Sequence, residues 1–111
     1  MTVHVVGMDI LELTARPAAI TLGITPGSTV TAIQWDGTEQ AASDIVEWVA
    51  AAGGIASQNG AYIYVADSGD VSAAAPSDHI ARLADGSHTV LGAVAIATLF
   101  DPARTLAGVT L

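Results

Sequence analysis

Cysteine and lysine are both missing from this chain of 111 residues, and arginine occurs only three times. Without cysteine, disulfides, thiolate metal sites and cysteine nucleophiles are excluded. Without lysine, the phosphate-binding loop G-x-x-x-x-G-K-[ST] is excluded, and the sequence contains neither G-x-G-x-x-G nor G-x-S-x-G. The absence of these motifs predicts a protein that is not an enzyme and carries no cofactor.

Positive charge is scarce beside the acidic residues, so the formal net charge is −8 and the sequence pI is about 4.3. Phosphate backbones and anionic lipids repel a chain this acidic, which predicts no nucleic-acid partner and no membrane. A long hydrophobic run is also missing. The longest apolar stretch, residues 89–100, is shorter than the roughly 20 residues that a membrane-spanning helix needs.

The chain is nevertheless apolar for its length. Charged residues make up only 13%, and the mean hydropathy is +0.53. A domain of this size buries only roughly 60–65% of the surface that its unfolded chain exposes. Monomers rarely expose large apolar patches. The apolar excess therefore predicts that the chain assembles as a homo-oligomer.

Composition divides the chain into three parts. Residues 1–28 are rich in β-branched residues and leucine and are interrupted by proline and glycine, which predicts an extended, apolar, β-rich arm. Pro17 lacks a backbone donor and favours an edge strand or an arm at its position. Residues 29–103 form the predicted compact body, and residues 104–111 form a C-terminal tail. The arm supplies the predicted interface residues, which are Val3, Val5, Val6, Ile10, Leu11, Leu13, Ile20 and Leu22.

The body begins with a strand over 30–35, a turn at Asp36-Gly37 and a helix over 39–52. Thr38 is the expected N-cap, and Gly53-Gly54 is the expected stop. The apolar positions of the helix, Ala42, Ile45, Val46, Val49 and Ala52, recur at helical spacing.

The sequence of the body after the helix predicts antiparallel strands. A strand is expected over 61–65, and residues 71–75 fit either an extended segment or a loop. Asp85-Gly86 predicts a hairpin between 79–83 and 88–91, and a last strand is expected over 94–100. This pattern predicts an α+β fold, in which one helix packs on a small, mostly antiparallel sheet and an extended N-terminal arm precedes them.

Two sets of side chains deserve consideration as sites. The hairpin could bring His79 near His88 with Asp78, but surface or hydrogen-bonded histidines are the favoured interpretation, so no metal site is predicted. The second set is a possible binding surface formed by Trp35, Arg82 and His88. An arginine and an aromatic ring can together hold a phosphorylated base, although Trp35 can also fill the core.

The motifs V-x-A-I-Q-W-D-G, I-V-E-W-V, S-D-H-I-A-R-L-A-D-G-S-H-T-V-L and I-A-T-L-F-D-P-A occur in this order within residues 30–103. In this order they resemble a widespread family of small, uncharacterised tailed-phage proteins. Ser77, His79 and Thr89-Val90 depart from that family's pattern, which has glycine, tryptophan and an aromatic step at these places. The matching positions are Val30, Ala32, Gln34, Trp35, Gly37, Glu47, Trp48, Asp78, Ile80, Arg82, Gly86, Ile96 and Phe100.

The resemblance implies a phage or prophage source. In outline, a compact body with an apolar arm is similar to the head-decoration, or cement, proteins of phages. The function expected from it is a virion structural protein on the capsid surface, present in the host cytoplasm before assembly. The expected partners are the phage major capsid protein and further copies of the chain on a lattice. The alternative is an intracellular phage effector that binds or sequesters a host protein or a small signalling molecule.

Overall fold

Strands and helices follow one another without long connections in the computed structural model, which describes residues 10–67, 70–102 and 104–105. The described strands form two antiparallel sheets, so the predicted α+β fold is confirmed. In chain order the elements are β1 (Ile10–Thr14), a 3-10 helix (Pro17–Leu22), β2 (Thr29–Gln34), α1 (Glu39–Ala51), β3 (Ile55–Asn59), β4 (Tyr62–Asp67), β5 (Asp70–Ala74), β6 (His79–Arg82), β7 (His88–Leu91), α2 (Ala93–Leu99) and β8 (Arg104–Thr105).

The larger sheet has the strand order β7-β6-β2-β1-β8, and the smaller one has the order β3-β4-β5. Side chains alternate between the faces of a strand, so β2 contributes to two cores. Ile33 and Trp35 pack with α1 and the smaller sheet. Val30 and Ala32 pack with the 3-10 helix and α2 on the opposite face. The larger sheet is therefore covered on both sides.

Helix α1 begins where its sequence predicts. The Thr38 hydroxyl accepts a hydrogen bond from the Ala41 N–H at 3.1 Å, which makes Thr38 the N-cap. The Asp36 carboxylate in turn accepts from the Thr38 hydroxyl at 2.7 Å and from its N–H at 2.9 Å. These bonds, the side-chain one first, hold the pKa of Asp36 below its usual value. Gly37 between them has φ +89°, a conformation that glycine adopts at no steric cost.

The hairpin about Asp85-Gly86 is confirmed, with β6 and β7 paired so that Arg82 faces His88 and His79 faces Leu91. Its turn repeats the chemistry of the Asp36 turn. The Asp85 carboxylate accepts from the Ser87 hydroxyl at 2.6 Å and from its N–H at 2.9 Å, and Gly86 has φ +89°. Two Asp-Gly-Ser/Thr sequences thus form the same local structure.

The predicted last strand over 94–100 is wrong, because residues 94–99 lie in α2 and Phe100 forms only an isolated bridge with Ala15. Ala95, Ile96 and Leu99 lie at helical spacing and pack against the core that contains Leu13 and Phe100. Alanine and leucine also favour a helix. An apolar run of this length does not separate helix from strand by itself.

The predicted boundary at residue 28 is not found in the described structure. β1 lies inside the larger sheet, pairs with β2 and β8, and contributes Leu13, which is fully buried. Pro17 begins a 3-10 helix instead of an edge strand, where its missing N–H costs nothing. Residues 10–28 therefore belong to the body, and β8 brings the start of the predicted tail into the same sheet. Val3, Val5 and Val6 lie outside the described residues.

The smaller sheet was only partly predicted. The sequence predicts β4, fits either a strand or a loop at β5, and gives no signal for β3. β3 has the sequence Ile-Ala-Ser-Gln-Asn, which has little of the β-branched and aromatic character that marks a strand. β3 is a strand because it pairs with β4, although its own residues have little preference for a strand.

Ser77 is the one non-glycine residue with positive φ in the described chain, at +81°. The tailed-phage pattern has glycine at this place. Left-handed backbone costs a non-glycine residue about 1–2 kcal/mol, and glycine's greater freedom in the unfolded chain offsets part of this. We therefore expect Ser77→Gly to raise the free energy of unfolding by about 0.5–1 kcal/mol in urea denaturation. Ser77→Ala, the matched control, should give no gain, and a loss on Ser77→Gly would contradict the prediction.

Candidate functional site

Trp35 is not part of an exposed binding surface, so this part of the predicted site is wrong. Its side chain is only 1% exposed and packs in the core with Ile33 and Ile45. Its indole N–H donates to the Thr38 carbonyl at 2.9 Å. The residue therefore fixes the start of α1 against β2, and it offers no surface to a ligand.

Arg82 and His88, the other two members of the predicted site, do lie together, and their aromatic neighbour is Trp48. The Arg82 guanidinium carbon lies 4.0 Å from the centroid of the Trp48 ring. Arg82 Nε donates to His88 Nε2 at 3.3 Å, and Arg82 Nη2 donates to the Trp48 carbonyl. The His88 and Trp48 rings meet edge to face, with centroids 5.4 Å apart.

The three residues of this Trp48–Arg82–His88 cluster contact one another through hydrogen bonds and ring contacts. The Trp48 carbonyl belongs to the last turn of α1, where a cation is favourable beside the helix dipole. Partial burial lowers the pKa of Arg82, but a guanidinium keeps its proton at physiological pH. Because the contacts of Arg82 join β6 and β7 to α1, we assign the cluster a structural role.

The role of Arg82 can be measured as stability. Arg82→Met removes a cation–π contact and the charged donor to the Trp48 carbonyl, and we expect it to lower the free energy of unfolding by about 1–3 kcal/mol. Arg82→Lys should lose less, because it keeps the charge but not the planar fork. Thermal and urea denaturation would measure both.

The matched control is Arg16→Met. Arg16 Nε lies 3.2 Å from Asp101 Oδ1 in an ion pair whose side chains are 46% and 56% exposed. Exposed pairs contribute about 0–1 kcal/mol. An Arg82→Met loss no larger than that of the control would contradict the structural role of the cluster.

The histidines of the hairpin do not converge. His79 and Ala81 face the core with α2, whereas Arg82 and His88 face α1, so the two histidines lie on opposite sides of the sheet. Within the described ranges, no group of three or more His, Cys, Asp or Glu side chains is placed to hold a metal ion. In the same part of the chain, no helix is long and apolar enough to cross a membrane.

An uncharged surface covers the outer side of the smaller sheet. Ile63 and Val65 of β4 point into the core, so their neighbours in the strand point outward. The register places Tyr64 between Ser57 and Ala73, and Ala66 between Ile55 and Val71. We call this surface the outer face. It consists of Ile55, Ser57, Asn59, Tyr62, Tyr64, Ala66, Val71 and Ala73.

The outer face exposes much of its apolar area. Ile55 is 71% exposed, Val71 is 68% exposed, and the two tyrosines are 47% and 38% exposed. The tyrosine rings lie 6.2 Å apart. Tyrosine is enriched and charged residues are depleted at the centres of protein interfaces. The outer face has this composition, although the chain as a whole has a net charge of −8.

A third feature is a pocket of about 330 Å³ beside α2, on the other side of the molecule. Its walls are largely apolar, and His79 is part of the lining. The His79 side chain is 7% exposed, and its Nδ1 is a buried atom with no hydrogen-bond partner among the described residues. The sequence offered no signal for this pocket, because α2 was expected to be a strand.

His79 makes stability depend on pH. Burial disfavours the charged ring and lowers its pKa below the usual 6.5, although the Asp78 carboxylate acts in the opposite direction. Below about pH 6.5 the unfolded chain therefore binds the proton first, and stability falls as the pH drops toward the lowered pKa. Stability should accordingly be lower at about pH 5.5 than at about pH 7.5, as measured by urea denaturation.

The control for this prediction is His79→Gln, which cannot titrate. Its stability should fall less over the same pH interval, while all other ionisable groups titrate in both proteins. Equal losses in the two proteins would contradict the assignment to His79.

A scan against protein-family models, a search of the curated proteins and a search of the solved structures found no match for this chain. The resemblance to tailed-phage proteins stays a prediction.

Proposed function

We propose that the chain is a non-enzymatic phage virion structural protein, a capsid decoration protein that stabilises the head lattice through contacts between copies. The observation that supports this proposal best is the outer face. It exposes two tyrosines and two β-branched side chains on one side of a sheet, and none of its residues is charged. Such a surface fits association with a protein better than it fits a free, solvated sheet.

The charge of the chain limits how copies can meet. Each copy has a net charge of −8, so two copies repel each other over most of their surfaces. The outer face as defined contains no charged residue, so its centre adds no repulsion when two copies meet through it. The remaining acidic surface would keep the assembled lattice soluble.

The predicted interface residues of the N-terminal segment contribute unequally to this proposal. Leu13 is fully buried and is not available to a partner, whereas Ile10 and Leu22 are partly buried against the two cores. Ile20, by contrast, is 65% exposed. Of these predicted residues, Ile20 and those before β1 therefore stay in the proposal as contacts to the major capsid protein.

The proposal places the protein on the capsid surface, after a period in the host cytoplasm. Purified particles of the encoding phage, analysed by quantitative mass spectrometry, should contain the chain in a fixed ratio to the major capsid protein. An unassembled host-cell fraction from the same lysate is the control. Particles that lack the chain would contradict the proposal.

The anchoring role of residues 1–9 needs its own variant. Deleting residues 1–28 would remove β1 from the larger sheet and unfold the body. Loss of binding by that variant would therefore not identify the anchor. Deleting residues 2–9 leaves β1 intact. This deletion should weaken attachment to capsids, and circular dichroism and urea denaturation would check that the body is still folded. If the deletion variant attaches to capsids as strongly as the full chain, the anchor lies in the body and not in residues 1–9.

The alternative function is an intracellular effector that binds a host protein or a small signalling molecule. Its expected binding pocket is formed by Trp35, Arg82 and His88. Trp35 is buried and Arg82 is engaged with Trp48. The geometry therefore gives that pocket no support.

A further inference from the structure

Three turns of the described chain have an aspartate or an asparagine directly before a glycine. They are Asp36-Gly37, Asn59-Gly60 and Asp85-Gly86. Such pairs allow one covalent rearrangement without an enzyme. The backbone nitrogen of the glycine attacks the side-chain carbonyl carbon of the preceding residue, and glycine has no Cβ that would shield this nitrogen. The surroundings of each pair decide whether it reacts.

The two aspartates are held in a form that resists this attack. The Asp36 carboxylate accepts hydrogen bonds from the hydroxyl and the N–H of Thr38, and the Asp85 carboxylate accepts the same two bonds from Ser87. These bonds, the side-chain one first, hold the pKa of both carboxyls below its usual value. An ionised carboxylate repels a nucleophile, because the attack would add to a negative charge that is already there.

Asn59 has different surroundings. It is the only asparagine of the chain, and it is exposed. Its side-chain amide makes no hydrogen bond with another described residue, and within the same ranges the Gly60 N–H donates to no backbone carbonyl. An uncharged amide carbon accepts a nucleophile more readily than a carboxylate carbon. The two reacting groups are therefore available to each other at this turn.

The turn itself lies in open solvent. Asn59 ends β3, and Gly60 begins the two-residue loop that leads to Tyr62 of β4. Gly60 has φ +64°, and a Cβ built there would meet no atom within 4 Å. Its carbonyl accepts one hydrogen bond, from Gln58 Nε2 at 3.3 Å. The loop therefore has room to change shape, and it is in contact with the water that the reaction consumes.

The reaction has two steps. In the first, the Gly60 nitrogen loses its proton and attacks Asn59 Cγ. The N–Cγ bond forms, the Cγ–Nδ2 bond breaks, and Nδ2 leaves with a proton as ammonia, which gives a cyclic succinimide. In the second, water adds to one of the two ring carbonyls and opens the ring. Opening at Cγ gives aspartate, and opening at the backbone carbonyl gives isoaspartate. No atom is oxidised or reduced, and water is the co-reactant.

We propose that Asn59 is a spontaneous deamidation site of the unassembled chain, and that the carboxylate formed there weakens association through the outer face. Asn59 belongs to the outer face and lies opposite Tyr62. The new charge adds to a chain whose net charge is already −8, and like charges brought together across an interface repel each other. This second part rests on the proposed function, in which contact between copies covers Asn59.

The modification is tested on the purified full chain, incubated at mildly alkaline and at mildly acidic pH. We expect the intact mass to increase by the replacement of NH with O. The increase should be faster at alkaline pH, because the attacking Gly60 nitrogen must lose its proton. Peptide mapping should locate aspartate and isoaspartate at position 59. Asn59→Ser is the control and should keep its mass. An unchanged wild-type mass at alkaline pH would overturn the proposal.

The same peptide maps test why Asn59 is the residue that reacts. Isoaspartate at Asp36 and Asp85 should form more slowly than at Asn59, since both carboxylates are ionised and hydrogen-bonded. Isoaspartate that forms at either aspartate as fast as at Asn59 would overturn the selection of Asn59 by its surroundings.

The effect on association is measured separately, by sedimentation velocity and by co-sedimentation with capsids. We expect Asn59→Asp to lower the association constant about tenfold relative to Asn59→Ser. Val94→Asp adds the same charge on α2, where the side chain is 81% exposed, and should leave association unchanged. Equal association of Asn59→Asp and Asn59→Ser would overturn the second part of the proposal. A wild type that does not associate at all would overturn the proposed function and this second part with it, whereas the mass measurement still decides the modification.

Discussion

Trp35→Ala is expected to lower the free energy of unfolding by about 3–5 kcal/mol. Trp35 is the largest fully buried side chain among the described residues, and its loss would leave a cavity between β2 and α1. The variant also loses the indole bond to the Thr38 carbonyl at 2.9 Å. Domains are stable by only about 5–15 kcal/mol, so the variant should be close to unfolding. Urea denaturation followed by far-ultraviolet circular dichroism would measure the loss.

Trp35→Phe is the matched variant for this prediction. It keeps most of the apolar packing and removes the indole N–H, so the loss should be clearly smaller than that of Trp35→Ala. A Trp35→Ala protein as stable as the wild type would contradict burial of the side chain. It would also bring back the interpretation of Trp35 as part of an exposed binding surface.

The elements that could be predicted are those whose structure is encoded by neighbouring residues. Asp36, Gly37 and Thr38 form a turn and a cap through their own hydrogen bonds. The start of α1 is therefore visible in the sequence. The same holds for the hairpin at Asp85-Gly86, because its bonds stay within three residues.

The elements that could not be predicted depend on distant partners. β3 is a strand because β4 pairs with it, and nothing in its own five residues requires that. The composition predicts that β1 lies outside the body, but in the structure β1 lies between β2 and β8 in the larger sheet. Composition cannot distinguish an apolar arm from an interior strand, since both are rich in the same residues.

The candidate sites divide in the same way. Arg82 and His88 were expected to lie together, and the hairpin register makes them direct partners. Trp48 completes their cluster from α1, a contact across 34 positions of sequence that no local pattern indicates. The pocket at His79 depends on α2 being a helix and on Phe100 closing the core. Neither the outer face nor that pocket can be predicted from the sequence, because both depend on the order of the strands in the sheets.

Tyr64→Asp is expected to abolish association through the outer face. Tyr64 lies in the central strand of the smaller sheet, between Ser57 and Ala73, so an interface on this face would bury it. A carboxylate there would be buried without a partner, and breaking an interface in this way costs several kcal/mol. We expect the association constant to fall at least about 100-fold, measured by sedimentation velocity and by co-sedimentation with capsids.

The fold of the Tyr64→Asp monomer should persist, because the side chain is 38% exposed and β-propensity accounts for about 1 kcal/mol. Circular dichroism would check this. Val94→Asp is the matched control. It adds the same charge at an exposed position of α2, on the opposite side of the larger sheet, and should leave association unchanged. Equal loss in both variants would attribute the effect to net charge. If Tyr64→Asp associates as strongly as the wild type, the interface does not lie on the outer face.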